Sequence, residues 1–122
     1  MNNRSFVPEY ETEEMHQYCS GCRIITRVVG VTFNGRQEVI AQLKYGEQVY
    51  LKREPKNPYD RNAIRVERHN SNQIGYLNRY LASTLAPLFD NHNKTVIAQV
   101  HCLSGNLHLG YSLGVVIAFH VP

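Results

Sequence analysis

No run of apolar residues in this 122-residue chain approaches the roughly 18 that a bilayer-spanning helix needs, so such a helix is excluded. The opening stretch, MNNRSFVPEYETEEMHQ, has no apolar core of the secretory kind. The expectation is an intracellular protein, cytoplasmic in a bacterium and nuclear in a eukaryote. Cysteine is scarce. Three residues, an odd number, fit reduced thiols and not a disulfide framework. Catalytic signatures are missing as well: there is no Gly-rich phosphate loop, no HExxH and no GxSxG. Acids are thin where they would matter. Glu54 and Asp60 alone flank the most polar loop, and a metal-dependent nuclease needs several carboxylates converging on its ions. Repeats and low-complexity tracts are absent too. The reading is a non-enzyme with no cofactor, no membrane and no small-molecule substrate.

What is present is a domain's worth of core. Hydrophobic residues make up 43% of the chain, which argues against disorder over most of its length. Net charge is +3, but its distribution is uneven. Residues 1–14 hold four acids and one base, whereas residues 15–122 hold twelve bases and six acids. The pattern reads as a flexible acidic arm over 1–20 followed by one moderately basic domain over 21–122. Such a body suits an anionic partner, although a merely solvated surface would look the same.

Hydrophobic periodicity supplies the elements. Residues 23–33 are β-branched and read as a strand. Residues 36–45 carry Val39, Ile40 and Leu43 at helical spacing, with Gly46 as the stop. Residues 47–53 alternate, as do 63–68, where Ile64 and Val66 point in and Arg65 and Glu67 out. Residues 54–60 form a proline-bearing loop, and 63–77 a hairpin. Asn78 caps a helix with Leu77, Leu81 and Leu85 on one face, and Pro87 is expected to break it near Ala86. Two strands, 94–103 and 107–121, turn around Ser104, Gly105 and Asn106, with Leu113, Val115, Ile117, Phe119 and Val121 on one face. The expected fold is mainly β with short helices, in the α+β class: a small six-stranded OB-like β-barrel with about two short helices.

Three features invite a chemical reading. Cys19 and Cys22 form a CxxC pair, half of a structural zinc site, with His16, His101 and Cys102 as distant candidates to complete it. Without a second pair the expectation is two ordinary cysteines and no metal. The six histidines do not cluster along the chain. The third feature, NPYDRNAIRV at 57–66, sets an aromatic ring, a carboxylate, an amide and guanidinium groups together before a strand. Tyr59 is suited to stack on an unpaired base and the cations to meet phosphates. Asp60 would repel a phosphate chain unless a hydroxyl, such as a free 3′-OH, donated to it. A tight turn with Tyr59 packed down and Asp60 accepting backbone N–H groups accounts for the same residues.

LKREPKNPYDRNAIRV (51–66) followed by NQIGYLNRYLASTLAPLFD (72–90), with VVG upstream at 28–30, resembles the HIRAN domain. The likeness covers roughly residues 23–103, and the last strand fits by hydrophobicity more than by identity. The resemblance implies an OB-like barrel that captures a free 3′-OH end of single-stranded DNA without chemistry, in DNA repair or replication-fork processing, alongside a helicase or nuclease partner. It implies that Tyr59 and Phe33 clamp the terminal base. By the same comparison Asp60 accepts from the 3′-hydroxyl, Asn57 makes a polar contact, and Arg79 meets a phosphate. The chain departs from the family at Thr32, where the family has an arginine. Arg36 is the candidate substitute, Lys56 and Arg61 are further cations of the same loop, and Tyr111 is the candidate for an aromatic near the last hairpin. The alternative is a protein-interaction barrel that turns the same rings and cations toward a partner protein.

Overall fold

The computed structural model describes residues 19–92 and 95–122. The arm expected over 1–20 lies outside these residues except for Cys19 and Ser20, and His16 and Lys94 lie outside them too. Six strands form one antiparallel sheet: β1 (Arg23–Arg27), β2 (Gln48–Arg53), β3 (Ile64–Glu67), β4 (Gln73–Tyr76), β5 (Val96–Asn106) and β6 (Tyr111–His120). Their order across the sheet is β1-β6-β5-β2-β3-β4. Two helices, α1 (Arg36–Ile40) and α2 (Arg79–His92), complete a curled half-barrel.

The alternating strands bury one face. Val49 and Leu51 of β2, Ile64 and Val66 of β3, Ile74 of β4, and Val115 and Ile117 of β6 are fully inside, and Phe89 of α2 closes over them. Each such side chain contributes about 1.5–3 kcal/mol by leaving water. The two sheet edges meet where the chain leaves β1. Val29 N–H donates to the Tyr76 carbonyl at 2.9 Å, and Tyr76 N–H donates back to Val29 at 3.0 Å. This bridge joins the β1 end of the sheet to β4 and curls it. It requires glycine at 75, because a Cβ there would overlap the Val29 carbonyl oxygen.

Several expectations need correction. The strand expected to run to residue 33 ends at Arg27, because the chain swings from β6 to the Val29 bridge. The helix expected over 36–45 is a single turn ending at Ile40. Glu67 keeps to the Arg65 face, opposite Tyr50 of β2, yet is only 4% exposed. Lys52 (3.6 Å) and Arg65 (3.3 Å) of the same face flank its carboxylate and offset the charge. Pro87 lies inside an unbroken α2. The hydrogen bond it forfeits would have gone to the Ser83 carbonyl, and both residues face solvent, so water can replace it. The Asn78 cap is present, with its Oδ1 accepting from Leu81 N–H at 2.8 Å.

The last hairpin is longer than its sequence suggests. Ser104, Gly105 and Asn106 remain in β5, and the reversal falls at a 3-10 turn, Leu107–Leu109, with Gly110 left-handed behind it. Gly105 (φ +90°) sits at a bulge where the Ser112 carbonyl presses against it, so it reads as a turn residue while pairing as a strand residue. Asn106 Oδ1 accepts from His108 N–H at 3.0 Å and starts the 3-10 turn. The face from Val115 to Val121 is buried as expected.

Candidate nucleic-acid interface

The closure at Val29 leaves an open groove of about 1230 Å³ between the turn after β1 and the loop after β2. One wall is the turn carrying Phe33, and the other is the loop carrying Lys56, Asn57, Tyr59 and Asp60. Arg36 and Tyr76 lie in the groove between them, and Arg79 opens α2 at its rim.

The loop owes its shape to one side chain. Asn57 Oδ1 accepts from the backbone N–H groups of Tyr59 (2.8 Å) and Asp60 (3.0 Å), turning the chain sharply after Pro58. Tyr59 is thereby thrown outward and is 86% exposed. The alternative of a packed ring therefore does not describe Tyr59. Its other half does describe Asp60, whose Oδ1 accepts from Asn62 N–H at 2.9 Å. Asp60 Oδ2 lies 3.6 Å from Arg79 Nε, and Arg79 Nη2 donates to the Tyr59 carbonyl at 2.7 Å. Arg79 is thus bonded to the loop while its side chain is three-quarters exposed.

Phe33 is 63% exposed, a large ring left in water on the facing wall. Thr32 is exposed beside it. Arg36, offered in place of the arginine that the family has at 32, is only 8% exposed. Its Nη1 donates to the Gly30 carbonyl (2.7 Å) and its Nη2 to Gln73 Oε1 (3.1 Å), with the guanidinium 5.4 Å from the Tyr76 ring centroid. Its Nε is buried without a partner among the described residues. Arg36 therefore lends the groove charge while its strongest donors serve the protein.

The candidates do not all converge. Lys56 lines the groove and is exposed. Arg61 is exposed but outside the lining, and its carbonyl holds Arg53 Nη1 at 3.0 Å. Tyr111 is 65% exposed at the start of β6, paired with Asn106 at the hairpin end, and it does not line this groove. Cys19 and Cys22 are free thiols at the head of β1, and burial pushes the Cys22 thiol up. Among the described residues no third metal-ligating side chain joins them.

Tyr76 carries no sequence signal for this groove, and Glu54 stands out in the sequence only as an acid beside the loop. Tyr76 and Glu54 lie 22 positions apart, yet Tyr76 donates its hydroxyl proton to Glu54 Oε1 at 2.8 Å. The pairing of β3 with both β2 and β4 brings them there, with Arg65 opposite Lys52 on one side and Tyr76 on the other. Burial pushes the Glu54 carboxyl up. Hydrogen bonds from Asn57 and Tyr76 and the charge of Arg65, together stronger, hold it below its ordinary value.

The family model of the HIRAN domain matches residues 23–119. The human helicase-like transcription factor is 34% identical over 94 residues, which is 71% of this chain and 9% of that protein. A Fanconi-associated nuclease 1 homolog from Arabidopsis thaliana is 36% identical over 74 residues, 61% of this chain and 8% of that one. The chain thus spans less than a tenth of the length of these relatives. Among solved structures, the HIRAN domain of human HLTF superposes with a TM-score of 0.57 at 31% identity, covering 80% of this chain and 74% of that one. A Lactobacillus plantarum protein gives 0.60 at 25% identity, covering 81% and 98%.

Proposed function

The chain belongs to the HIRAN domain family, and from that premise we propose that its groove captures the free 3′-OH end of a single DNA strand and performs no reaction on it. The observation that carries this reading is the pairing of two large rings, Tyr59 and Phe33, left exposed on the two walls of one groove. Exposed rings cost solvation unless something stacks on them, and an unpaired base does so whatever its sequence. The terminal base enters between the walls. The following phosphates meet Lys56 and Arg79 at the rim, over the positive field of buried Arg36. Asp60 then faces the end of the strand. An ionised carboxylate is tolerated beside phosphates only where a donor compensates it, and a terminal 3′-hydroxyl is such a donor. A 3′-phosphate offers charge of the wrong sign.

The relatives include a helicase-like factor and a nuclease homolog. The matching role here is to deliver a strand end to such a machine in DNA repair or fork processing. Fluorescence anisotropy with labelled oligonucleotides tests the reading. Strands and 3′-overhangs ending in 3′-OH should bind more tightly than blunt duplex, 5′-overhangs or 3′-phosphorylated strands. Equal binding to all, or no binding to any, would overturn it, and the second result would favour a protein partner for the exposed rings.

A further inference from the structure

Beneath the 57–60 loop lies a polar bracket that contains none of the groups assigned to the strand's ring clamp or its terminal hydroxyl. Glu54 follows β2 and Tyr76 ends β4. Glu54 Oε1 accepts from the Tyr76 hydroxyl at 2.8 Å and from Asn57 Nδ2 at 3.0 Å, and Arg65 Nη1 lies 3.5 Å from Oε2. Asn57 Nδ2 also lies 3.3 Å from the Tyr76 hydroxyl oxygen. The far end of the same Asn57 amide accepts the Tyr59 and Asp60 N–H groups. One side-chain amide therefore joins a half-buried carboxylate to the two residues that carry the ring and the terminal carboxylate.

The orientation of that amide decides whether the loop holds. Turned by 180°, Asn57 would aim NH2 at two backbone N–H donors and its oxygen at a carboxylate, losing its bonds to Tyr59, Asp60 and Glu54. A carboxylate accepts only, so Glu54 selects the working orientation. Tyr76 is itself restrained, with its backbone in the Val29 bridge and its ring beside the Arg36 guanidinium.

We propose that Glu54 is a positioning residue for strand-end recognition: held by Tyr76 and Arg65, it locks the Asn57 amide so that Tyr59 and Asp60 keep their places in the groove, and it does not touch the strand. This assignment rests on the end-binding reading given above. It also makes a claim about the loop that holds with no DNA present. The low-lying carboxyl described above keeps Glu54 an ionised acceptor at neutral pH.

The test compares wild type with Glu54→Ala, Glu54→Gln and Tyr76→Phe in two measurements. The first is amide hydrogen exchange without DNA. Glu54→Ala should speed exchange at Tyr59 and Asp60 by about tenfold, the loss expected when a charge-assisted bond is removed, and leave strand amides such as Val66 and Ile117 unchanged. Glu54→Gln keeps an acceptor oxygen and should fall between, as should Tyr76→Phe. The second measurement is binding. Glu54→Ala should weaken the 3′-OH strand about tenfold, bring it level with the 3′-phosphorylated strand, and keep the wild-type salt slope, since no phosphate contact goes. Unchanged Tyr59 and Asp60 amides would overturn the proposal. So would faster exchange throughout the core, which would mean that Glu54 serves stability alone. Tighter binding with a steeper slope in Glu54→Ala would place Glu54 against the strand and overturn it as well. A wild type that binds no strand would sink the end-binding reading, while exchange at Tyr59 and Asp60 would still show whether Glu54 fixes the loop.

Discussion

Tyr59 and Tyr111 are both tyrosines left largely in solvent, yet the regions that carry them are built in opposite ways. The 57–60 loop is tied to the interior by side chains: Asn57 to Glu54 and Tyr76, and the Tyr59 carbonyl to Arg79. The β5–β6 hairpin end is shaped by its own backbone, a bulge at Gly105 and a 3-10 turn capped by Asn106, and beyond Ser112 it is tied to α1 where Gln37 bonds both backbone groups of Leu113. Beside it Leu107 and Leu109 are exposed as well, so apolar exposure is if anything greater there. Exposure alone thus does not mark the site. The groove differs in that a ring on a bonded loop, a second ring, a carboxylate and cations line one concave surface.

The largest effect that would separate the two regions lies at their glycines. Gly75→Ala drives a methyl into the Val29 carbonyl, at a backbone held from both sides. It should cost about 3 kcal/mol by overpacking, read in urea unfolding, and should abolish strand binding with it. Gly105→Ala meets the Ser112 carbonyl and a positive φ, but at an exposed hairpin end that does not line the groove. It should destabilise by about 1–2 kcal/mol and leave binding near wild type. If Gly105→Ala removed binding in a folded protein, the contrast drawn here would fail.

Next come the rings. Tyr59→Ala should cost about 1–3 kcal/mol of single-strand binding with little loss of stability, since the ring packs on nothing it would expose. Phe33→Ala should behave alike. Tyr111→Ala should change binding by less than about 0.5 kcal/mol. A large loss at Tyr111 would show that the strand runs on past the groove to the hairpin.

Acid should act on the braces in both regions of charge. Glu54 and Glu47 are buried enough to be pushed up, but Asn57, Tyr76 and Arg65 in one case and Arg68 in the other hold each carboxyl low. A carboxyl with a depressed folded value takes its proton more readily in the unfolded chain. Its contribution is therefore complete above the ordinary carboxylate value of about 4.3 and is lost as pH falls below it. The urea midpoint should hold steady from pH 7 to 5 and drop toward pH 3. A midpoint that rose on acidification would contradict the sign. Smallest is the salt effect: Arg79→Ala should reduce the slope of log affinity against log salt by about 0.7, and Arg61→Ala, outside the groove lining, by less.

Much of this was legible in the sequence because it is local. Alternation exposed β2 and β3, Asn78 announced the start of α2, and Asn-Pro-Tyr-Asp announced the loop. The parts that were not legible depend on contacts between distant segments. Gly105 reads as a turn, but a bulge accommodates it. Pro87 reads as a break, but its lost bond faces water. Glu67 follows an outward-facing pattern, but with Lys52 and Arg65 against its carboxylate it is left almost without solvent. Arg36 looks like a free cation, whereas the Gly30 carbonyl and Gln73 claim it across the closed sheet. Glu54 and Tyr76 are ordinary residues until the pairing of β3 with both β2 and β4 brings them together.

The central claim is that Asp60 reads a hydroxyl. Its Oδ1 is engaged with Asn62 N–H and its Oδ2 faces Arg79, so a donor arriving at Oδ2 would share it with Arg79. Anisotropy on wild type and Asp60→Ala, each with one strand ending in 3′-OH and its 3′-phosphorylated twin, tests this directly. Wild type should prefer the 3′-OH strand by about 1.5–3 kcal/mol, the worth of a charge-assisted hydrogen bond. Asp60→Ala should weaken the 3′-OH strand and leave the phosphorylated strand equal or tighter, because the repulsion has gone. Equal losses on both strands, or the reverse crossing, would contradict the account and reduce Asp60 to a residue that shapes the loop.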